Sequence, residues 1–298
     1  SNSNLGVGMN LRLEFIDQVL EQKPDVKFFE IIADNWLSEG PHHKKLELIR
    51  QDYEILFHCV GMNIGGVDPL NNKYLNNIKN LADQFEPRHI SDHLCLQSFE
   101  GCHFHDLLPI PFNKESATNI SERVDYIHDF FQQKILLENL SYYHQFDQSD
   151  ITEAELLNQV SAKTGCQFIL DLNNIWVNEK NFSVKAKDFL KALDWQFIGQ
   201  VHVAGAEQTD GWYIDTHGSD VNDDILLMLK ENLDTTVLRK LGLDKRSEPD
   251  LTAWKNFLGK LKNPMNEVKI GVVGKYIELQ DSYKSITEAF IHAGSSNE

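Results

Sequence analysis

The chain has 298 residues, of which 41% are hydrophobic and 24% charged, the balance of a globular protein with a sizeable core. Acidic residues outnumber basic ones 45 to 28, and the net charge of −17 argues against nucleic acid or an anionic membrane as the main partner. No apolar run reaches the roughly 18 residues of a membrane span. The four cysteines form no CxxC pair and the first residues carry no secretion signal, so we expect a cytoplasmic protein.

Seven short apolar runs alternate with segments of helical periodicity. Phe15, Val19 and Leu20 illustrate the helical spacing. The predicted strands cover residues 5–11, 27–32, 55–60, 89–94, 134–137, 167–172 and 197–203. Strands that alternate with helices are typical of a parallel sheet. Seven such units favour a TIM-type (β/α)8 barrel, an α/β fold, over an open doubly wound sheet, which stays the structural alternative.

The composition changes near residue 224. Eleven of the 12 histidines precede this point, and the segment that follows is lysine-rich and helical in pattern. We therefore predict a barrel domain at 1–224 and a C-terminal segment at 225–298, with one apolar strand at 268–273. The eighth barrel strand is then either absent or supplied by this segment.

Acids and imidazoles stand at the carboxyl ends of five successive predicted strands. They are His58, Asp92, His93, Glu138, Asp171 and His202. In a barrel these ends converge on the face that carries the active site. Charged groups are costly to bury there unless they are paired or bind a metal ion. The pattern therefore predicts a metal site.

Imidazoles combined with carboxylates suit iron, manganese or zinc better than magnesium or calcium. More than four candidate ligands indicate more than one ion, with Glu138 able to bridge. Asp215 and His217 follow on a loop, and their spacing lets both reach one ion. Asp106 is a further candidate at the barrel mouth. Non-metal alternatives stay open: His58 as a core histidine, Asp92 and His93 as a charge pair, and the acids as partners of basic residues.

A series of motifs from residue 6 to 220 resembles one known family. The motifs are GVGMNLR, HCVGMNIGG, SDHL, HDLLPIP, LLENLS, LDLNNIWV, HVAG and IDTHG. They resemble the multinuclear non-haem iron enzymes of the MbnB/TglH type. The resemblance implies a TIM-type barrel with two or three iron ions in mixed valence. It further implies dioxygen chemistry at a cysteine of a ribosomally made precursor peptide, which a partner protein presents.

The resemblance also implies a ligand set. His58, His93 and Glu138 would share one iron, and Glu138, Asp171 and His202 would hold the second and act as the catalytic residues. A third, labile ion would be bound by Asn174, Asp215 and His217. Asp92 would be a nearby ligand or would support one.

The end of the chain departs from the family pattern. No IEWD-like motif follows the DTHG loop, and residues 227–294 instead resemble a piece of CTP synthase without its P-loop or glutaminase nucleophile. The candidate strand at 268–273 has no acid at its end, and Glu278 lies further on. Two alternatives therefore stay open: a divalent-metal barrel of the isomerase or endonuclease kind, and a non-catalytic metal-binding hybrid with an incomplete barrel.

Overall fold

The computed structural model describes residues 5–38, 40–182, 184–209 and 212–216, together with short stretches between 239 and 294. Contacts divide the chain into two compact units, 1–203 with 208–215, and 204–207 with 216–298. The predicted boundary at residue 224 lies outside the described residues. The division into 1–224 and 225–298 therefore stays a prediction.

Strands and helices alternate along the described part of the chain. The strands are β1 (Gly8–Asn10), β2 (Phe28–Ile32), β3 (Glu54–His58), β4 (Ile90–His93), β5 (Leu96–Phe99), β6 (Cys102–Leu108), β7 (Leu136–Glu138), β8 (Gln167–Asp171), β9 (Ile198–His202), β10 (Gly205–Thr209) and β11 (Trp212–Thr216). The α-helices are α1 (Ile16–Gln22), α2 (Pro41–Asp52), α3 (Asn72–Phe85), α4 (Lys114–Phe131), α5 (Glu153–Thr164), α6 (Leu172–Phe182) and α7 (Ala186–Ala192). Short 3₁₀ turns cover Leu13–Phe15, Ala33–Trp36 and Trp195–Phe197.

Seven of these strands form the central sheet, in the order β1, β2, β3, β4, β7, β8, β9, and the neighbouring strands run parallel. Each of them coincides with one of the seven predicted strands, and the barrel architecture is confirmed. Two hairpins, β5–β6 and β10–β11, form separate two-stranded sheets that the sequence did not predict.

The sheet curls so that strands far apart in its order face each other across the interior. Glu30 of β2 lies within hydrogen-bonding distance of Gln200 and His202 of β9. Because the side chains of a strand alternate between its two faces, this contact identifies the interior side of both strands. The interior therefore contains polar groups as well as the apolar core.

Local signals set both ends of helix α5. Helix α5 begins with a capping box in which Thr152 Oγ1 accepts from Glu155 N at 3.2 Å and Glu155 accepts from Thr152 N at 2.7 Å. It ends at Gly165, whose φ of 71° lies in the left-handed region that glycine tolerates. The capping box at Thr152 fixes where the loop after β7 meets the helix.

The candidate eighth strand at 268–273 is wrong for residues 268–271. These residues adopt no regular secondary structure, and the side chains of Val268 and Ile270 are 79% and 53% exposed. Residues 272 and 273, like Glu278, lie outside the described residues. None of the helices in the described part of the chain is long and apolar enough to cross a membrane.

Gly65 offers a test of how tightly the loop after β3 packs. A Cβ atom at Gly65 would lie 2.7 Å from both the Cys95 carbonyl oxygen and Ile110 Cγ2. We expect Gly65→Ala to lower the free energy of unfolding by about 1–3 kcal/mol, because backbone must move to relieve the clash. Gly271→Ala, at an exposed glycine that meets nothing within 4 Å, is the control and should change stability by less than about 0.5 kcal/mol. Equal stability of the two variants in urea unfolding would contradict this packing.

Candidate metal centre

The carboxyl ends of five sheet strands each place one candidate ligand. The last residues of β3, β4, β7, β8 and β9 are His58, His93, Glu138, Asp171 and His202. The parallel register pairs His93 with Glu138 and Asp171 with His202 across neighbouring strands. Because the carboxyl ends of parallel strands meet on one face, these side chains are brought together.

The first group consists of His58, His93 and Glu138, each at most 5% exposed. His58 Nε2 lies 3.2 Å from His93 Nε2 and 3.2 Å from Glu138 Oε2. His93 Nε2 lies 4.0 Å from the same carboxylate oxygen. Two imidazole nitrogens and a carboxylate oxygen therefore converge on one point.

Ser91 fixes the ring of His58 within this group. Its hydroxyl donates to the Phe57 carbonyl at 3.1 Å and lies 2.8 Å from His58 Nδ1. Since its one proton is used on the carbonyl, the hydroxyl accepts from Nδ1–H. The lone pair of neutral His58 then lies on Nε2, the nitrogen that faces Glu138 and His93.

The second group shares Glu138 with the first and adds Asp171 and His202. His202 Nδ1 lies 3.3 Å from Glu138 Oε2. Asp171 Oδ1 accepts from the Asn174 backbone N–H at 2.8 Å, which holds the carboxylate at the start of α6. The Asn139 side chain exchanges hydrogen bonds with the Asp171 backbone at 2.8 and 3.0 Å, so β7 and β8 stay in register up to the site.

The buried charges of the two groups depend on one another. Burial by itself would raise the pKa of Glu138, but His202 and His58 outweigh it and lower this pKa. Burial lowers the pKa of His58 to about 4, so its imidazole is neutral near pH 7. Burial would also lower the pKa of His202, yet Glu138 and Glu30 raise it well above its usual value. A protonated His202 therefore supplies a positive charge between two carboxylates.

The donor set fits a divalent metal ion. Glu138 Oε2 is buried, and two imidazole nitrogens face it, His58 Nε2 at 3.2 Å and His202 Nδ1 at 3.3 Å. A buried carboxylate is costly unless a cation balances its charge, either a protonated imidazole or a bound metal ion. Nitrogen and oxygen donors together suit iron, manganese or zinc. One shared carboxylate between two ligand groups allows two adjacent ions.

Not every predicted ligand joins these groups. Asp92 is fully buried, and its carboxylate accepts from the backbone N–H groups of Met62 at 2.8 Å and His93 at 2.6 Å. Neighbouring residues of a strand point to opposite faces, so Asp92 and His93 cannot both face the interior. Asp92 belongs to neither ligand group, but its Oδ1 lies 3.8 Å from His93 Nδ1, so it lies beside the first group, and it also holds the loop after β3.

The proposed third ligand set is described only in part. Asn174 lies beside the second group, where its amide donates to the Asn139 carbonyl at 2.8 Å and its buried Oδ1 has no partner among the described residues. Asp215 belongs to β11, but its side chain lies outside the described part, and so does all of His217. Asp106 is exposed and accepts from the neighbouring Leu107 N–H.

Glu30 is a site residue that the sequence did not indicate. It stands in the middle of β2, is 6% exposed, and places Oε1 3.0 Å from His202 Nε2. Gln200 Nε2 donates to Glu30 Oε2 at 2.6 Å. Burial would raise the pKa of Glu30, but His202 outweighs it and lowers this pKa. Its signal in the sequence was a single acid inside the apolar run FFEII, not at the strand end.

A separate cavity of about 460 Å³ opens between the segment before α4, the loop after β7 and helix α7. Its walls are mainly apolar and include Phe112, Tyr142, Phe146 and Phe189. Glu153, the first residue of α5, also lines it and is 7% exposed. Burial raises the pKa of this carboxyl to about 8, although a backbone hydrogen bond from Leu140 opposes the rise.

Fold and site define a TIM-barrel protein with a buried histidine–carboxylate centre suited to metal ions. A family model described as the RiPP precursor modification enzymes MbnB/TglH/ChrH matches residues 6–252, and the chain belongs to this family. The match extends past residue 220 into the segment that resembles CTP synthase, and that second resemblance stays a prediction.

Relatives agree with this assignment, and a solved structure agrees with the fold. A UPF0276 protein of Acaryochloris marina is 36% identical over 228 residues, which cover 76% of this chain and 83% of that protein. A UPF0276 protein of Bordetella pertussis is 36% identical over 222 residues, covering 72% and 77%. The apo crystal structure of 3-keto-D-glucoside 4-epimerase from E. coli superposes with a TM-score of 0.50 at 13% identity, covering 87% of this chain and 99% of that one. At this identity the likeness concerns the fold alone.

A variant of Asp92 can test whether this residue supports the site or binds a metal ion itself. We expect Asp92→Asn to keep the metal content of the protein and to lower its stability by about 1–3 kcal/mol, because an amide replaces a charged acceptor of two buried N–H groups. Metal analysis and urea unfolding of the same sample measure both. Lost metal at unchanged stability would instead make Asp92 a ligand.

The buried carboxyl of Glu153 should make the protein less stable as the pH rises. The folded protein keeps the proton up to about pH 8, whereas a free glutamic acid releases it near pH 4.5, so stability falls as the pH rises between these values. We expect Glu153→Gln, which cannot ionise, to gain about 2 kcal/mol relative to wild type between pH 5 and pH 7. Glu115→Gln, at an exposed acid in the first turn of α4, is the control. A difference that does not change with pH would refute the buried neutral carboxyl.

Proposed function

We propose that this protein is an iron-dependent oxygenase that modifies a cysteine in a ribosomally made precursor peptide. The observation that carries the proposal is the pair of ligand groups joined by Glu138, in a member of a family described as RiPP precursor modification enzymes. His58, His93 and Glu138 would hold one iron; Glu138, Asp171 and His202 would hold a second. Asn174, Asp215 and His217 would hold a third.

Bound iron in mixed valence would supply a site for the cysteine thiolate and the electrons that activate dioxygen. The protein would supply position and charge. Glu138 belongs to both ligand groups, so one carboxylate would serve two ions. Ser91 orients His58, and Asn139 and the Asn174 backbone hold Asp171. Supports of this kind typically change metal affinity or activity by 10–100-fold when they are removed.

Burial would protect the reaction from water. The members of the first group are at most 5% exposed, so their charges act in a medium of low polarity. Solvent exclusion also limits side reactions of activated oxygen. The net charge of −17 favours a peptide leader or a peptide-presenting partner protein that carries basic residues.

Metal analysis of protein purified without oxygen is the first test. Two or more irons per chain, with oxygen consumption that depends on a cysteine-containing peptide, support the proposal. Mass spectrometry of the peptide after co-expression with the enzyme and candidate partners identifies the modification. Full activity with zinc or magnesium and no oxygen uptake would contradict the oxygenase proposal. It would favour an isomerase or endonuclease that uses a redox-inert metal. A folded chain that binds no metal would favour the non-catalytic hybrid.

Two carboxylate variants should lose different numbers of ions. We expect Glu138→Gln to lose both ions of the joined groups, because Glu138 belongs to each, and Asp171→Asn to weaken only the group it shares with His202. Asp106→Asn removes an exposed acid outside both groups and serves as the matched control. Iron is counted per chain under anaerobic conditions, with folding checked by circular dichroism. Unchanged iron in Glu138→Gln would overturn the ligand assignment.

A further inference from the structure

We propose that Glu30 is a positioning residue that determines which ring nitrogen of His202 is available to a metal ion. The inference rests on the proposed metal centre and adds a residue outside its ligand groups. Glu30 comes from β2, whereas His202 ends β9, and 172 positions separate them in the chain. Their contact therefore depends on the curled sheet rather than on local sequence.

The two nitrogens of His202 face two different carboxylates. Nδ1 lies 3.3 Å from Glu138 Oε2, on the side of the ligand group. Nε2 lies 3.0 Å from Glu30 Oε1. A metal ion in the second group would therefore meet Nδ1, and it needs that nitrogen without its proton. The remaining proton must then be held on Nε2.

Glu30 is placed to accept a hydrogen bond from the proton on His202 Nε2. A carboxylate accepts hydrogen bonds, so Glu30 favours the form of His202 with a proton on Nε2. Such carboxylate–histidine pairs orient metal-binding rings in many proteins and raise their basicity. Glu30 is 6% exposed, and water therefore competes little for its oxygens.

Gln200 acts on the same nitrogen in the opposite direction. Its Nε2 lies 2.6 Å from Glu30 Oε2, which orients the amide because only its NH₂ group can donate to a carboxylate. The same nitrogen lies 2.8 Å from His202 Nε2. Donation from Gln200 to Nε2 would leave the proton of a neutral ring on Nδ1, where it blocks the metal. The negative charge of Glu30 favours the form of His202 with its proton on Nε2 over the form with its proton on Nδ1.

The effect should fall mainly on one ligand group, because Glu30 hydrogen-bonds within that group and reaches His58 of the other only through a weaker electrostatic interaction. His58 has its ring fixed by Ser91, and neither residue is a hydrogen-bond partner of Glu30 among the described contacts. Glu30→Gln should therefore weaken binding of the ion held by Glu138, Asp171 and His202 by about 10–100-fold and leave the other ion in place.

The experiment counts ⁵⁷Fe(II) bound at fixed free iron under anaerobic conditions and separates the two ions by Mössbauer spectroscopy. Wild type, Glu30→Gln and the double variant Glu30→Gln with Gln200→Met are compared. We expect the single variant to lose one of two signals. The double variant, which lacks the opposing donor, should regain part of it. Nitrogen-15 NMR of the zinc-loaded wild type should find the His202 proton on Nε2.

The controls separate positioning from a general structural role. Glu54→Gln changes an acid at the amino end of β3, away from the ligand ends of the strands, and should bind iron like wild type. Three outcomes would each overturn the role of Glu30. They are equal weakening of the binding of both ions in Glu30→Gln, no recovery of binding in the double variant, and unchanged iron binding in Glu30→Gln. Wild type that binds no iron or zinc would overturn the metal centre as well, whereas two ions in both proteins would refute the role of Glu30 alone.

Discussion

The balance of charge inside the barrel is the constraint on which the rest of the site depends. Glu30, Glu138 and Asp171 place three carboxylates among the imidazoles of His58, His93 and His202, and most of these groups are buried. A buried carboxylate is tolerated only when a cation or hydrogen-bond donors compensate it. His202 meets part of this need because Glu138 and Glu30 keep its pKa high.

The groups around the site then serve to keep this balance in one geometry. Asn139, Asn174 and Asn178 tie the loop after β7 to the strand end and helix that carry Asp171, through bonds of 2.8–3.0 Å. Asp92 holds the backbone of the loop that follows His58. Satisfied polar networks of this kind are rigid, because each lost bond leaves a buried group unpaired. The site is therefore supported mainly by amides and backbone rather than by basic side chains.

Much of this arrangement could be predicted from sequence because strand ends are easy to read in an α/β barrel. Five apolar runs ended at or next to an acid or imidazole, and all five strand-end residues lie in the two groups. Glu30 could not be found in this way, because it stands mid-strand and its partners in β9 lie far along the chain. Strand alternation allows Asp92 or His93, but not both, to face inward, so of its two predicted roles Asp92 fits support beside His93 better than ligation.

The hairpin β5–β6 was missed for a local reason. Its turn places Glu100 and Gly101 at positive φ, 50° and 74°, and a glutamate there is not the usual hairpin signal. The third ligand set depends on side chains outside the described residues.

The distribution of ligands along the chain also has a consequence for how the protein folds. The ligand residues run from His58 to His202 and come from five separate strands, so both groups are complete only when the chain from β3 to β9 has folded. Closing such long chain segments is entropically costly and slows folding. A metal ion would then bind late in folding, after the barrel has formed. Metal supply during synthesis would govern how much of the protein survives quality control, because an ion that binds only the native state stabilises it by mass action.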